Sequence, residues 1–242
     1  MTVQTELELI TLSNGVRVAL DPMPGLATAA LGVWQRVGAR WEKAEENGVA
    51  HLFEHMAFKG AGQRDARQFA EAIETVGGVL NAGTSYERTA YYARMIAEHA
   101  PFALDLIADI LLAPHWEPAE LEKEKGVVAQ ERGEAFDVPD DRVFELHQAA
   151  LYAGQALGRP ILGEEDSVQS LSVASLNAFR DAHLSPERML VSIAGAFDRD
   201  AFLDTAERRF GALKPKPKQQ RADAKPQAGA VMEAVQSLRP KR

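Results

Sequence analysis

His51 and His55 stand four residues apart, with Glu54 between them, in the stretch from Gly48 to Gly60. On a 3.6-residue wheel Val49, Leu52, Phe53 and Met56 share one stripe, the spacing of a helix that packs on a core. His51, Glu54, His55 and Phe58 share the opposite stripe. The apolar stripe accounts for burial, so the second must face something else. Two imidazoles four apart on one helix face reach a single metal ion. Glu54 is better placed to touch a metal-bound water than to be a ligand. The order is His-x-x-Glu-His, the inverse of the commoner zinc-protease order. The competing reading is a solvated polar face, and with only six histidines in 242 residues the pattern weighs against it.

A catalytic zinc site usually takes three protein ligands and a water, so a third ligand is required. The helix read from Glu117 to Phe136 offers one. Pro118 suits its first position and acidic residues fill its first turn. Its inward stripe is Leu121, Glu124, Val127, Val128, Glu131 and Ala135. A carboxylate aimed at a core is costly unless a cation or donors satisfy it, so either this stripe is only partly buried or a metal meets it. Glu124 and Glu131 lie two turns apart, so both can face one site, one as ligand and one supporting it.

Other elements must position these residues. Thr5 to Leu12, a turn at Ser13-Asn14-Gly15, and Val16 to Leu20 read as a hairpin. Ala27 to Val37 reads as a buried strand, and Gly38 to Asn47 as a charged loop into the histidine helix. Asn47 is the expected N-cap and Gly60 the expected stop. Asp65 caps a helix from about Ala66 to Val76, which Gly77-Gly78 ends. Val79 to Ser85 and Thr89 to Ile96 follow as a strand pair. Within the first, Asn81, Ala82, Gly83, Thr84 and Ser85 are small or polar. They suit an exposed edge near the metal that pairs with an extended peptide, the competing reading being a capped edge strand with no ligand. Pro101 to Leu112 is read as a helix with Phe102, Leu106 and Ile110 buried, closed by Pro114. Val143 to Tyr152 looks helical and Gly154 to Gly163 is a Gly-rich loop. Ser172 to His183 is a helix, Met189 to Ala194 a strand and Asp200 to Phe210 a helix. From Lys214 the composition is that of a linker.

Composition narrows the classes. Hydrophobic residues make up 46% of the chain, the proportion of a globular protein. A net charge of −8 argues against nucleic acid as a partner. No apolar run is long enough to span a bilayer as a helix, so no membrane is expected. The absence of cysteine removes disulfides, thiolate zinc ligands and a cysteine nucleophile together. No signal-like segment opens the sequence, which makes the cytoplasm the expected location, or the periplasm had a leader been removed.

Taken together, these residues resemble the N-terminal, catalytic half of the pitrilysin, insulysin and mitochondrial processing peptidase family. The likeness runs along most of residues 5 to 213. It includes Gly48 to Gly60, Leu80-Asn81-Ala82-Gly83-Thr84 through Glu87, Thr89 and Tyr91, and Glu124, Val127-Val128 and Glu131. It also includes Gly158-Arg159-Pro160-Ile161-Leu162-Gly163 and Leu184 to Met189 leading to Ala194-Gly195. The resemblance implies that His51, His55 and Glu131 bind one Zn2+ per chain. It implies Glu54 as the general base, with Glu124 as the catalytic-site carboxylate behind the ligands. The implied fold is α+β, a mainly antiparallel sheet with helices packed on one face. The implied activity is that of a zinc metalloendopeptidase acting on extended or unfolded peptides.

Two departures qualify the likeness. Family members of this type run to about twice this length as two similar halves. Here residues 1–213 read as the N-terminal catalytic domain, and 214–242 as a linker and the broken-off start of a second half from Gln227. The small change is Gly60-Ala61, where Gly-Thr is common after the Lys. The peptide-holding Arg and Tyr of the second half have no counterpart here, so a second-half domain, a homologous subunit or self-association is expected to complete the site. The alternative function is a non-catalytic or incomplete subunit that binds peptides or a partner. A sulfur-ribosyl lyase also uses His-x-x-Glu-His but needs a Cys. A purely structural zinc domain would close its fourth position with protein rather than water.

Overall fold

The computed structural model describes residues 6–217 and 224–227. The expected start of a second half from Gln227 falls almost wholly outside these residues. A sheet of six strands forms the frame. Its strands are β1 (Glu8–Thr11), β2 (Arg17–Pro22), β3 (Thr28–Gln35), β6 (Val79–Thr84), β7 (Thr89–Ile96) and β8 (Met189–Gly195). Their spatial order is β1-β2-β8-β3-β7-β6. A short pair, β4 (Gly60–Ala61) and β5 (Arg64–Asp65), stands apart.

The hairpin turns where it was expected. Asn14 Oδ1 accepts from the Val16 N–H, and the Asn14 amide donates to the carbonyls of Phe210 and Leu213. The third strand, however, does not lie beside the hairpin. β8 inserts between them, parallel to β2 and antiparallel to β3. Nothing local to residues 189–195 signals that pairing, because the partners are more than 150 residues away in sequence. The other pairings are antiparallel.

Register explains why one face is the core. Ile10, Val18, Val191, Val33, Tyr91 and Ala82 stand opposite one another across the sheet. All are buried except Ile10, which packs at the core's margin. The next row, Leu9, Ala19, Ser192, Gly32, Tyr92 and Asn81, points the other way, and Leu9 and Tyr92 are exposed. Period-two alternation thus gives one apolar face and one open face.

The helices are α1 (Val49–Ala57), α2 (Ala66–Thr75), α3 (Ala100–Leu112), α4 (Pro118–Asp137), α5 (Pro139–Leu151), α6 (Glu165–Ser170), α7 (Val173–His183) and α8 (Arg199–Phe210). Asp65 caps α2 through a reciprocal pair with Gln68, as its position suggested. Ser172 and Ser175 do the same for α7. α3 is the central helix, with Leu104, Leu106, Ile107 and Ile110 fully buried, whereas Phe102 is only half-buried at its margin. On α4, Val127 is exposed and Lys125 is buried instead, its Nζ donating to the Gln169 carbonyl. α6 was not expected, because six residues are too few to show a helical period. Among the described residues, no helix is long and apolar enough to cross a membrane.

Candidate metal centre

α1 is short, and its packing holds it. Val49, Leu52 and Met56 are fully buried, and Phe53 packs edge-on against Trp116. Its N-terminus departs from expectation. Gly48, not Asn47, is the cap, at a left-handed φ of 95° that a side chain would strain. A Cβ there would also meet Gly163 and Val168. The missing acceptors come from Glu42, in the segment expected to be a charged loop. Its carboxylate accepts from the N–H groups of Gly48 and Ala50 and from the Asn47 side-chain amide. Asn47 is fully buried and also donates to the Pro160 carbonyl, while its oxygen accepts from the Glu164 N–H. Burial pushes the Glu42 carboxyl up to about 7, although these donors oppose it. At the other end α1 stops at Ala57, and Gly60, at φ 116°, opens β4 rather than ending the helix.

With α1 so held, its second stripe meets α4. His55 Nε2 lies 3.3 Å from Glu131 Oε2, and His51 Nε2 lies 3.8 Å from the same oxygen. One ligand atom from each of the three residues falls within 4.8 Å of the others. The edges of a tetrahedral zinc site with Zn–N and Zn–O bonds near ~2.0–2.1 Å are roughly 3.4 Å. Two imidazole nitrogens and one carboxylate oxygen at these separations therefore fit zinc. The two rings approach edge-on, with centroids 4.6 Å apart. Burial, and then the neighbouring His55, lower the His51 pKa to about 4, so its ring is neutral at neutral pH, as a ligand must be.

Glu124 is brought to the same place but in another capacity. Its Oε2 lies 3.0 Å from His55 Nδ1, the nitrogen turned away from Glu131. Its Oε1 takes the Lys59 ammonium at 2.7 Å. Glu54 sits on the sheet side of α1. Its Oε2 is buried without a hydrogen-bond partner. Burial raises its pKa, and neighbouring Thr84 works against that.

The residues from Asn81 to Thr84 lie on β6, which ends the sheet, with Ser85 just beyond it. Asn81 Oδ1 accepts from the Ala82 N–H at 2.8 Å, so this main-chain donor is occupied by a neighbouring side chain. Beside them opens a cleft of ≈ 460 Å³, lined by His51, Glu54, Gly83, Thr84, Tyr86, Asp141, Phe144 and Glu145. The α5 residues of this wall were not singled out from sequence. Their signal was faint, an Asp-Asp pair after Pro139 and one exposed phenylalanine.

Two family models match the chain. The insulinase model, peptidase family M16, covers residues 17–165, more than half of it. The chain belongs to the insulinase family, peptidase family M16. A second M16 model, described as the inactive domain, matches residues 170–239. A zinc protease of Bacillus subtilis, YmxG, is 41% identical over 208 residues, covering 86% of this chain and 51% of that protein. The beta subunit of the mitochondrial-processing peptidase of Lentinula edodes is 37% identical over 206 residues, covering 85% and 44%. A protease from Helicobacter pylori of known structure superposes with a TM-score of 0.82 at 24% identity, covering 90% and 53%, a likeness of fold. This M16 chain spans about half the length of the curated relatives it matches.

Proposed function

We propose that this M16 chain is the metal-binding half of a zinc-dependent endopeptidase that cleaves extended or unfolded peptides. The observation that carries the reading is the convergence of His51, His55 and Glu131 beside the half-buried Glu54. His51, His55 and Glu131 would hold the ion. Bound there, zinc supplies a Lewis acid for the scissile carbonyl and acidifies a water. Glu54 takes a proton from the attacking water and passes it to the leaving amine. Glu124 holds the His55 ring from behind. β6, an edge strand beside Glu54, offers main-chain groups to an extended peptide, which displaces Asn81 from the Ala82 N–H as it pairs. Main-chain pairing makes recognition tolerant of sequence and selective for unfolded segments.

Residues 1–213 act as the catalytic domain and 214–242 lead toward a second half. The chain's span of about half its relatives supports a second-half partner, supplied by a separate chain or by self-association. The same fact favours a second reading, in which the chain alone binds peptides or a partner without cleaving. An open wall cannot hold a substrate as a closed chamber does, and oriented binding is worth roughly 7–11 kcal/mol in favourable cases. The test is hydrolysis of a long unstructured peptide by the zinc-loaded chain, alone and with an M16 second-half protein. Turnover is expected only with the partner. Glu54→Gln should retain zinc and lose ~10²–10⁴-fold or more of that turnover. Near-normal turnover by the Gln variant in the assembled enzyme would sink the assignment of Glu54.

A further inference from the structure

Lys59 lies two residues beyond α1, where its backbone N–H still donates to the Met56 carbonyl at 3.1 Å. This short extension turns the side chain back across the end of the helix toward α4. There its ammonium meets Glu124 Oε1 at 2.7 Å, while Glu124 Oε2 meets His55 Nδ1 at 3.0 Å. The Glu124 side chain is only 8% exposed, so water contributes little to holding it. Each carboxylate oxygen therefore has a separate protein partner, one on each side. The three residues form a line from the protein surface to the imidazole: ammonium, carboxylate, ring.

We propose that Lys59 is a positioning residue of the metal centre, pinning Glu124 so that its second oxygen holds His55 with Nδ1 as the donor and Nε2 presented to the metal. An imidazole offers a lone pair at one nitrogen when the other carries the proton, and the partner of that other nitrogen decides which. A carboxylate tied down at Oε1 presents Oε2 as an acceptor in a fixed place. Without the ammonium, the carboxylate is free to rotate about its last bonds and the ring about its own. Lys59 also completes a charge balance. Three carboxylates, Glu54, Glu124 and Glu131, crowd the two imidazoles, and a divalent ion together with one ammonium offsets the carboxylate charge. A single positive charge near a weakly exposed carboxylate is screened little by salt, so the contribution should persist at physiological ionic strength.

The inference rests on the zinc reading of His51, His55 and Glu131, and its first readout needs no zinc. Long-range ¹H–¹⁵N spectra of the full metal-free chain report which His55 nitrogen carries the proton. The expected result is a proton on Nδ1 in the unmodified chain, whether or not Nε2 also carries one toward Glu131 Oε2 at 3.3 Å; a ring protonated at Nε2 alone would overturn the proposal without any variant. Lys59→Met keeps the aliphatic stem and removes the ammonium. It is expected to give mixed His55 tautomers and to weaken zinc binding, measured against a competing chelator, by ~10–100-fold, the range seen when outer partners of ligands are lost. Lys59→Arg should restore both. Should the Met variant not fold, a Nδ1-protonated ring in the parent and near-parent zinc affinity in the Arg variant would still support the proposal. A folded Met variant with unchanged tautomer and unchanged affinity overturns it. A parent chain that takes up no zinc but shows the expected tautomer would overturn the zinc reading and leave the positioning contact standing.

Discussion

α1 and α4 both feed the candidate metal centre, but they are held in different ways. α1 carries His51 and His55 on a helix of nine residues whose opposite face is wholly inside the core. Its N-terminus is fixed by Glu42, Asn47 and the 158–164 loop. α4 is twenty residues long, yet its buried residues are Leu121, Glu124, Lys125 and Val128, all in its first part. Beyond them the Glu131 side chain is 39% exposed, and Phe136 is exposed beyond it. Two of the three proposed ligands thus stand on a rigid base, and the third stands where α4 leaves the core. The difference teaches that helix length does not set rigidity. Burial of the opposite face and satisfaction of the helix end do.

Removing a ligand from each side is the strongest way to break the comparison. His55→Ala should abolish zinc binding at micromolar metal. Glu131→Gln should weaken it by more than the ~100-fold upper range for outer partners, with the helix still formed. Metal analysis and chelator competition give both numbers. Full zinc in Glu131→Gln would remove Glu131 from the ligand set. Equal losses in both variants would say that the α4 ligand is held as firmly as those of α1.

Packing gives the next effect. Met56→Ala empties a fully buried position under the two histidines and should cost ~2–5 kcal/mol in denaturant unfolding. Val127→Ala on α4, 41% exposed, should stay within ~0.5 kcal/mol. A large loss at Val127 would mean that α4 is covered in solution by another surface.

The smallest effect sharpens the account of the α1 N-terminus. Glu42 holds its proton up to about pH 7 in the folded chain, against the ordinary value of 4.5. Between those values the folded state binds more protons than the unfolded one. Its contribution to stability is therefore whole below pH 4.5 and is lost as pH rises through 7. Unfolding measured in chelator at several pH values should show this decline, and Glu42→Gln should flatten it. An unchanged slope in the Gln variant would assign the decline to other groups.

The candidate site was legible in sequence because its spacing is local. His51, Glu54 and His55 lie within five residues, and helical spacing puts them on one stripe. That Glu124 and Glu131 share an inward stripe of α4 was equally readable from a period of 3.6. Asp65, with Gln68 three residues on, announced its helix start in the same local way. Where sequence reasoning failed, the partner was distant. Asn47 has the chemistry of an N-cap, yet it was drawn off by Pro160 and Glu164, and Glu42 took its place. Val127 was placed on the inward stripe of α4, but Leu121, Glu124, Lys125 and Val128 set the buried side and Val127 lies off it, because α4's pattern alone does not say which neighbours it packs against.

By itself, then, the sequence determined the His-x-x-Glu-His spacing on one helix face, most helices and strands, and the turn of the first hairpin, since each depends on residues within a few turns of one another. Tertiary structure alone decided that β8 enters the sheet between β2 and β3, that β6 is left at its edge beside Glu54, and that Glu124 bridges His55 and Lys59. Those outcomes depend on which distant surfaces exclude water together, and no local window of residues carries that information.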